Sequence, residues 1–199
     1  MVRKFSGTEL VLATHNKGKL AEFAHIFRDR GITLIPAAEF GLTSPPETGT
    51  TFIENAVLKA QFVAVATNKI ALADDSGLCV DALNGAPGVY TADWEEEDGV
   101  RTAENAQRKI EAALVDNPDH GAQFVSTLAL CWPDGHCETA EGIARGHLVF
   151  PPRGINGFGQ DPIFVPEGET RTFGELTKAE KEKFSHRAFS FRRMMGMCF

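Results

Sequence analysis

Gln123–Trp132 is a long apolar strand pattern and Cys137–Phe150 returns as a second long strand, on either side of Asp134-Gly135. An Asp-Gly between two strand segments is a strong short-range signal for an antiparallel pair joined by a tight turn. The chain must therefore build a sheet around a long hairpin. The residues before the hairpin alternate in character. Glu9–Ala13 is a buried-strand pattern, and Lys17–Arg30 carries Leu20, Phe23, Ala24 and Phe27 on one helical face before Gly31 stops it. Ile32–Pro36 is a short strand. Thr51 opens a second helix, with Glu54 three residues on as a capping box and Ile53, Ala56, Val57, Ala60 and Ala64 as its stripe. Ile70–Ala73 is a strand that delivers Asp74 and Asp75 at its end, and Thr102–Val115 is a third helix. After the hairpin come a short strand at Pro162–Val165 and a helix at His186–Met195. Strands joined by helices, plus a long antiparallel pair, predict an α/β fold: a long, twisted, mixed sheet with helices forming two lobes around a central substrate cleft. The whole of 1–199 reads as one domain of two lobes.

Composition narrows the chemistry. With 43% hydrophobic and 24% charged residues in 199, the chain can bury a core unaided. A net charge of −7 argues against duplex nucleic acid, whose binding rests on phosphate neutralisation. No apolar stretch is long enough for a membrane span or, after Met1–Thr8, for a signal peptide, so a cytoplasmic location is expected. The cysteines at 79, 131, 137 and 198 have neither CxxC nor zinc-ligand spacing and are expected to be free buried thiols.

Five clusters carry possible chemistry. Thr14-His15-Asn16-Lys17-Gly18-Lys19 puts two lysines at a helix start, where the macrodipole disfavours cations unless an anion sits there. It is not a Walker loop, since Leu20 follows Gly18-Lys19. Asp74-Asp75-Ser76-Gly77 sets adjacent acids after an apolar run, costly unless they bind something or stay wet. Such carboxylates can hold Mg²⁺. Pro45–Gly49 is a rigid loop offering Glu47, ahead of a helix on which Asn55 and Lys59 share a face. Gly154–Pro162 surrounds Phe158 with glycines, and an exposed aromatic can stack on a base. Lys181 with Ser185-His186-Arg187 can hold phosphate and read a purine edge. Taken singly, each also reads as an ordinary solvated turn or core feature.

In this order, the stretches LVLATHNKGKLAEF, ETGTTFIENAVLKA, ALADDSGLCVDALNGAPGVYTA, GFGQDPIF and SHRA resemble the inosine triphosphate pyrophosphatase family across residues 10 to 188. The resemblance implies a long mixed sheet, two α/β lobes and a homodimer. It also implies Mg²⁺-dependent hydrolysis of aberrant purine nucleoside triphosphates (those of inosine, deoxyinosine and xanthosine) to a monophosphate and pyrophosphate. Asp75 would be the catalytic base. Glu47 and Asp75, with Asp74 close by, would form the Mg²⁺ site. Thr14, His15, Asn16, Lys17, Gly18, Lys19, Lys59 and Ser76 would take the phosphates. Phe158, Gly159, Gln160, Asp161, Lys181, His186 and Arg187 would hold the nucleoside.

Two positions depart from the family pattern. His15 stands where many members have Gly, and Gln160 where Tyr is usual. The Gln160 side chain is expected to face outward and to adjust only the loop carrying Phe158. Two other readings share the same residues: a housekeeping pyrophosphatase for modified pyrimidine or ordinary nucleotides, and a non-catalytic nucleotide-binding protein.

Overall fold

The computed structural model describes residues 2–28 and 30–199. Position 29, within the helix read from the sequence as 17–30, and Met1 lie outside the described residues. The chain divides into two compact units: Met1–Asp75 with Thr127–Glu141 and Ser190–Phe199, and Ser76–Ser126 with Gly142–Phe189. Strands β1 (Glu9–Leu12), β2 (Thr33–Pro36), β3 (Ala71–Val80), β6 (Gly121–Cys131), β7 (Cys137–Leu148) and β8 (Phe164–Pro166) form one sheet in the order β2-β1-β3-β6-β7-β8. Pairing of β1 with β2 and β3 is parallel, and β7 with β8 is antiparallel, so the sheet is mixed. Two short strands, β4 (Glu96–Glu97) and β5 (Val100–Arg101), pair separately, and two helices, α3 (Thr91–Trp94) and α5 (Lys178–Lys181), are single turns.

In the first unit, strand alternation sorts the core onto two faces. Leu10, Leu12, Leu72, Leu128 and Leu130 pack with Phe23 and Phe27 of α1 (Lys17–Phe27) and with Phe191 and Met194 of α6 (His186–Cys198). Their neighbours in sequence, Val11, Ala71, Ala73, Ala129 and Cys131, pack with Ala56, Ala60, Val63 and Ala64 of α2 (Phe52–Thr67). Small side chains at 56, 60 and 64 let this helix approach the strands closely. The second unit has its own core. Leu78, Val80 and Phe124 meet Ile110 and Leu114, on and just beyond α4 (Ala103–Ala113), together with Phe164 and Phe173.

Three readings of the sequence are corrected. The strand ending at Ala73 in fact continues through Asp74, Asp75, Ser76 and Gly77 to Val80, because both acids find lysine partners and need not leave the sheet. Pro162 belongs to a 3-10 turn, Asp161–Ile163, and the strand starts at Phe164. The four cysteines are not all free. The Asp134-Gly135 turn folds the chain back so that Cys131 and Cys137 lie with Cα atoms 4.2 Å apart, joined by a disulfide; Cys79 and Cys198 remain thiols. Among the described residues no helix is long and apolar enough to cross a membrane.

Candidate active site

Alternation along β3 decides where its acids go. Asp74 follows Leu72 onto the α1 face and meets Lys19 Nζ at 2.7 Å. Asp75 follows Ala71 and Ala73 onto the α2 face, where Lys59 Nζ donates to its Oδ1 at 2.6 Å. Lys59 also donates to Glu47 Oε1 at 3.0 Å, so one ammonium gathers two carboxylates. Both acids of β3 are almost wholly buried, as is Lys59. Burial pushes the Asp75 carboxyl above its usual range; the Lys59 charge opposes this without cancelling it, and the Glu47 charge adds to the rise. For Lys59 burial alone would weaken the ammonium, but Asp75 and Glu47 outweigh it and hold its proton more tightly than usual. Asp75 Oδ2 is buried and has no hydrogen-bond partner among the described residues.

The loop carrying Glu47 is fixed by α2. Its first turn is closed by the Thr51–Glu54 capping box, as the sequence indicates. Asn55 is 2% exposed, not on an outer polar face, and its Oδ1 accepts from Gly49 N at 2.8 Å. A Cβ at Gly49 would come within 2.6 Å of that oxygen, which explains the glycine. Asn55 is a site residue that sequence reasoning left unassigned. Its spacing of four from Lys59 was the available signal. Among the described residues no three His, Cys, Asp or Glu side chains converge as a ready metal set. The structure brings Glu47 and Asp75 together and directs Asp74 to Lys19 instead.

The turn from β1 to α1 is wound on Asn16. Thr14 Oγ1 accepts from Asn16 N, and Asn16 Oδ1 accepts from Gly18 N at 2.9 Å and Lys19 N at 3.2 Å. The misfit of lysines at a helix start is therefore eased in part by an Asn cap and by the contact of Lys19 with Asp74. His15, Asn16 and Lys17 are exposed.

The remaining site residues lie in the second unit. Arg187 donates to Ser76 Oγ at 3.0 Å and stands over the Phe158 ring, 4.9 Å from its centroid. Lys181 Nζ lies 5.4 Å from the same centroid and donates to Asp161 Oδ2 at 2.6 Å. Asp161 Oδ2 also accepts from Phe158 N at 2.8 Å. Gly157 has φ +75°, and a Cβ there would meet the Asp161 carboxylate at 2.0 Å, so only glycine permits this hold. His186 is buried and stacks on Phe124, centroids 4.7 Å apart. Gln160 does not face outward. It is 2% exposed and donates from Nε2 to Glu95 Oε1 at 3.4 Å, while Gln107 donates to the Gly159 carbonyl at 2.9 Å. Neither Glu95 nor Gln107 stands in a motif that would have drawn attention to it.

These two constellations occur in a chain whose relatives are recognisable. A dITP/XTP pyrophosphatase of Ruegeria pomeroyi is 50% identical over 203 residues, covering 100% of this chain and 99% of the relative. A protein of the same name from Rhodospirillum centenum is 50% identical, covering 99% and 98%. Among solved structures, a HAM1 protein from Coxiella burnetii is 39% identical with a TM-score of 0.88, covering 96% of this chain and 98% of that one. The Staphylococcus aureus Ham1 protein is 37% identical with a TM-score of 0.84, covering 94% and 96%. The model of the Ham1 family matches residues 10–197, and with relatives of this identity aligned end to end, the chain belongs to the Ham1 family.

Proposed function

We propose that the protein hydrolyses the triphosphates of inosine, deoxyinosine and xanthosine to a nucleoside monophosphate and pyrophosphate. Relatives named for dITP and XTP support the substrate class. The observation that carries the reaction is Asp75: a buried carboxylate, held through Oδ1 by Lys59, with Oδ2 lacking a protein partner. An orphaned buried oxygen is costly unless something fills it. A water there would be oriented and would lose its proton to Oδ2 as its oxygen attacks the α-phosphorus. The bond from that phosphorus to the bridging oxygen then breaks, and pyrophosphate leaves. A carboxyl whose proton affinity is raised by burial is a better base than an exposed one.

Mg²⁺ fits the same residues, since Glu47 and Asp75 are hard oxygen donors gathered at one point and one of their oxygens is orphaned. When bound there, it would neutralise phosphate charge and ease departure of pyrophosphate. Thr14, Asn16, Lys19 and Lys59 supply the remaining donors for phosphate, with His15, Lys17 and Gly18 on the same turn. Phe158 provides the stacking surface, and Arg187, Lys181, His186 and Asp161 hold the nucleoside. A donor aimed at a 6-oxo group is left unpaired by a 6-amino group, which penalises adenine.

Product analysis over a nucleotide panel with Mg²⁺ tests the reading. Pyrophosphate and monophosphate from inosine triphosphate, with adenosine triphosphate a poor substrate, are the expected outcome. Orthophosphate release, or undiminished turnover in excess chelator, would sink the reaction or its metal requirement respectively. A homodimer is proposed with it. Phe62 and Val65 of α2 are exposed apolar residues three apart on one helical face, and sedimentation velocity would reveal a monomer if the pairing is wrong.

A further inference from the structure

The segment from Trp94 to Arg101 contains none of the residues assigned above, yet α4 clasps it by its backbone. Lys109 Nζ donates to the carbonyls of Trp94 at 3.0 Å and Glu96 at 2.6 Å. Asn105 Nδ2 donates to those of Glu95 and Val100, both at 3.0 Å. Thr102 N donates to the Glu95 carbonyl at 3.0 Å. The β4–β5 hairpin and α4 therefore form one hydrogen-bonded platform.

Two side chains of this platform reach the loop that carries Phe158, and both land directly after the aromatic. Gln107, 6% exposed, donates to the Gly159 carbonyl at 2.9 Å. Glu95 accepts from Gln160 Nε2 at the longer distance of 3.4 Å. A buried amide must be satisfied, so moving the loop away would leave Gln107 unpaired. Gln160 Oε1 has no partner among the described residues, so the amide is held through Nε2, by Glu95. The next residue, Asp161, accepts from Phe158 N and from Lys181, and ahead of the aromatic Asn156 N donates to the Gly174 carbonyl at 2.8 Å. Phe158 thus sits on a loop held by two sets of partners, the residues proposed to bind the nucleoside and a platform with no other stated task.

We infer that Glu95 and Gln107 are positioning residues for purine recognition, acting through Gln160 and Gly159 to fix the orientation of the Phe158 ring. The inference rests on the reading of Phe158 as the base-stacking surface. Stacking demands placement to a fraction of an ångström, so a loosened loop weakens nucleoside binding. Phosphate chemistry, carried by β3 and α2, is left alone.

The test compares Glu95→Ala, Glu95→Gln, Gln107→Leu and Phe158→Ala in the full chain. The readouts are kcat and KM for inosine triphosphate and the inhibition constants of inosine and of pyrophosphate. Glu95→Ala and Gln107→Leu should raise KM and the inosine constant about three- to tenfold, the size of one net hydrogen bond. The pyrophosphate constant and kcat should stay within about twofold. Glu95→Gln keeps a polar group facing Gln160 and should stay near the parent. If Phe158→Ala weakens inosine but Glu95→Ala and Gln107→Leu do not, the positioning role is overturned while the stacking surface stands. An unchanged inosine constant in Phe158→Ala removes the stacking reading and the brace with it. Equal weakening of inosine and pyrophosphate in the brace variants would mark a general loss of fold and also overturn the role. Should Gln107→Leu not fold, the Glu95 pair decides: a difference between Ala and Gln supports the brace, and equal behaviour sinks it.

Discussion

Two neighbouring acids on one strand have different fates because a strand turns successive side chains to opposite faces. Asp74 is neutralised by Lys19, and Asp75 by a lysine that it shares with Glu47. For Asp75 the pairing does not fully offset desolvation, and the carboxyl stays raised. That balance leads to two expectations. Asp75→Asn should lower kcat by about 10²- to 10⁴-fold, the worth of a general base, with an unchanged circular dichroism spectrum; turnover near that of the parent would remove Asp75 from the mechanism. Lys59→Met should cost about 3–5 kcal/mol in denaturant unfolding at neutral pH, because a buried charge loses its partner. The sign with pH follows. An Asp75 without Lys59 has a still higher proton affinity when folded than unfolded, so its penalty grows as pH rises and shrinks as pH falls and the folded form takes up a proton. Adding Asp75→Asn should recover part of the loss. A double variant no more stable than Lys59→Met would mean the lysine acts through packing of its stem.

At the scale of elements, α2 both packs the sheet and aims the site, and these roles separate by mutation. Thr51→Ala removes one side of the capping box and should cost about 0.5–2 kcal/mol of stability with kcat little changed. Gly49→Ala forces a Cβ to 2.6 Å from Asn55 Oδ1 and 2.7 Å from Glu54 Cβ, so the Glu47 loop must shift. Its kcat should fall further than its melting temperature would suggest. Equal effects of the two substitutions on kcat would break the link between Asn55 and Glu47. The start of α2 was legible because a capping box is a local pattern, and the hairpin was legible because Asp-Gly is a local turn. The continuation of β3 through Asp74 and Asp75 was not. It depends on lysines 55 and 16 residues away in sequence, whose partnership no local pattern announces. Thr14, Lys19, Lys59, Phe158 and Arg187 stand out in the sequence as motif positions, whereas Asn55, Glu95 and Gln107 contact the backbone or side chains of distant loops and leave no signature of their own. The outward placement expected for Gln160 failed for the same reason, since its partner Glu95 lies in a segment with no motif.

For the molecule as a whole, the disulfide is informative because its effect is exerted mainly on the unfolded chain. Cys131 is wholly buried among the small side chains of α2 and its facing strands, and its bond to Cys137 closes a loop with a sequence separation of 6. The folded arrangement is already specified there by the Asp134-Gly135 turn and the ladder from β6 to β7, so the bond adds little that packing does not supply. What it removes is freedom of the denatured chain. Loop-closure entropy for so short a loop is worth roughly 2 kcal/mol. For a chain of this size about 1 kcal/mol moves the melting temperature by about 2–4 °C. Reduction with a dithiol, or Cys137→Ser, should therefore lower the midpoint by about 4–8 °C and leave kcat and KM for inosine triphosphate unchanged, since neither cysteine is among the residues assigned to substrate. A midpoint indifferent to dithiol would show that the two thiols are not paired in solution. Loss of turnover on reduction, with the fold retained, would show instead that the sulfurs support α2 and through it the Lys59–Asp75 contact, which would tie catalysis to the redox state of the hairpin.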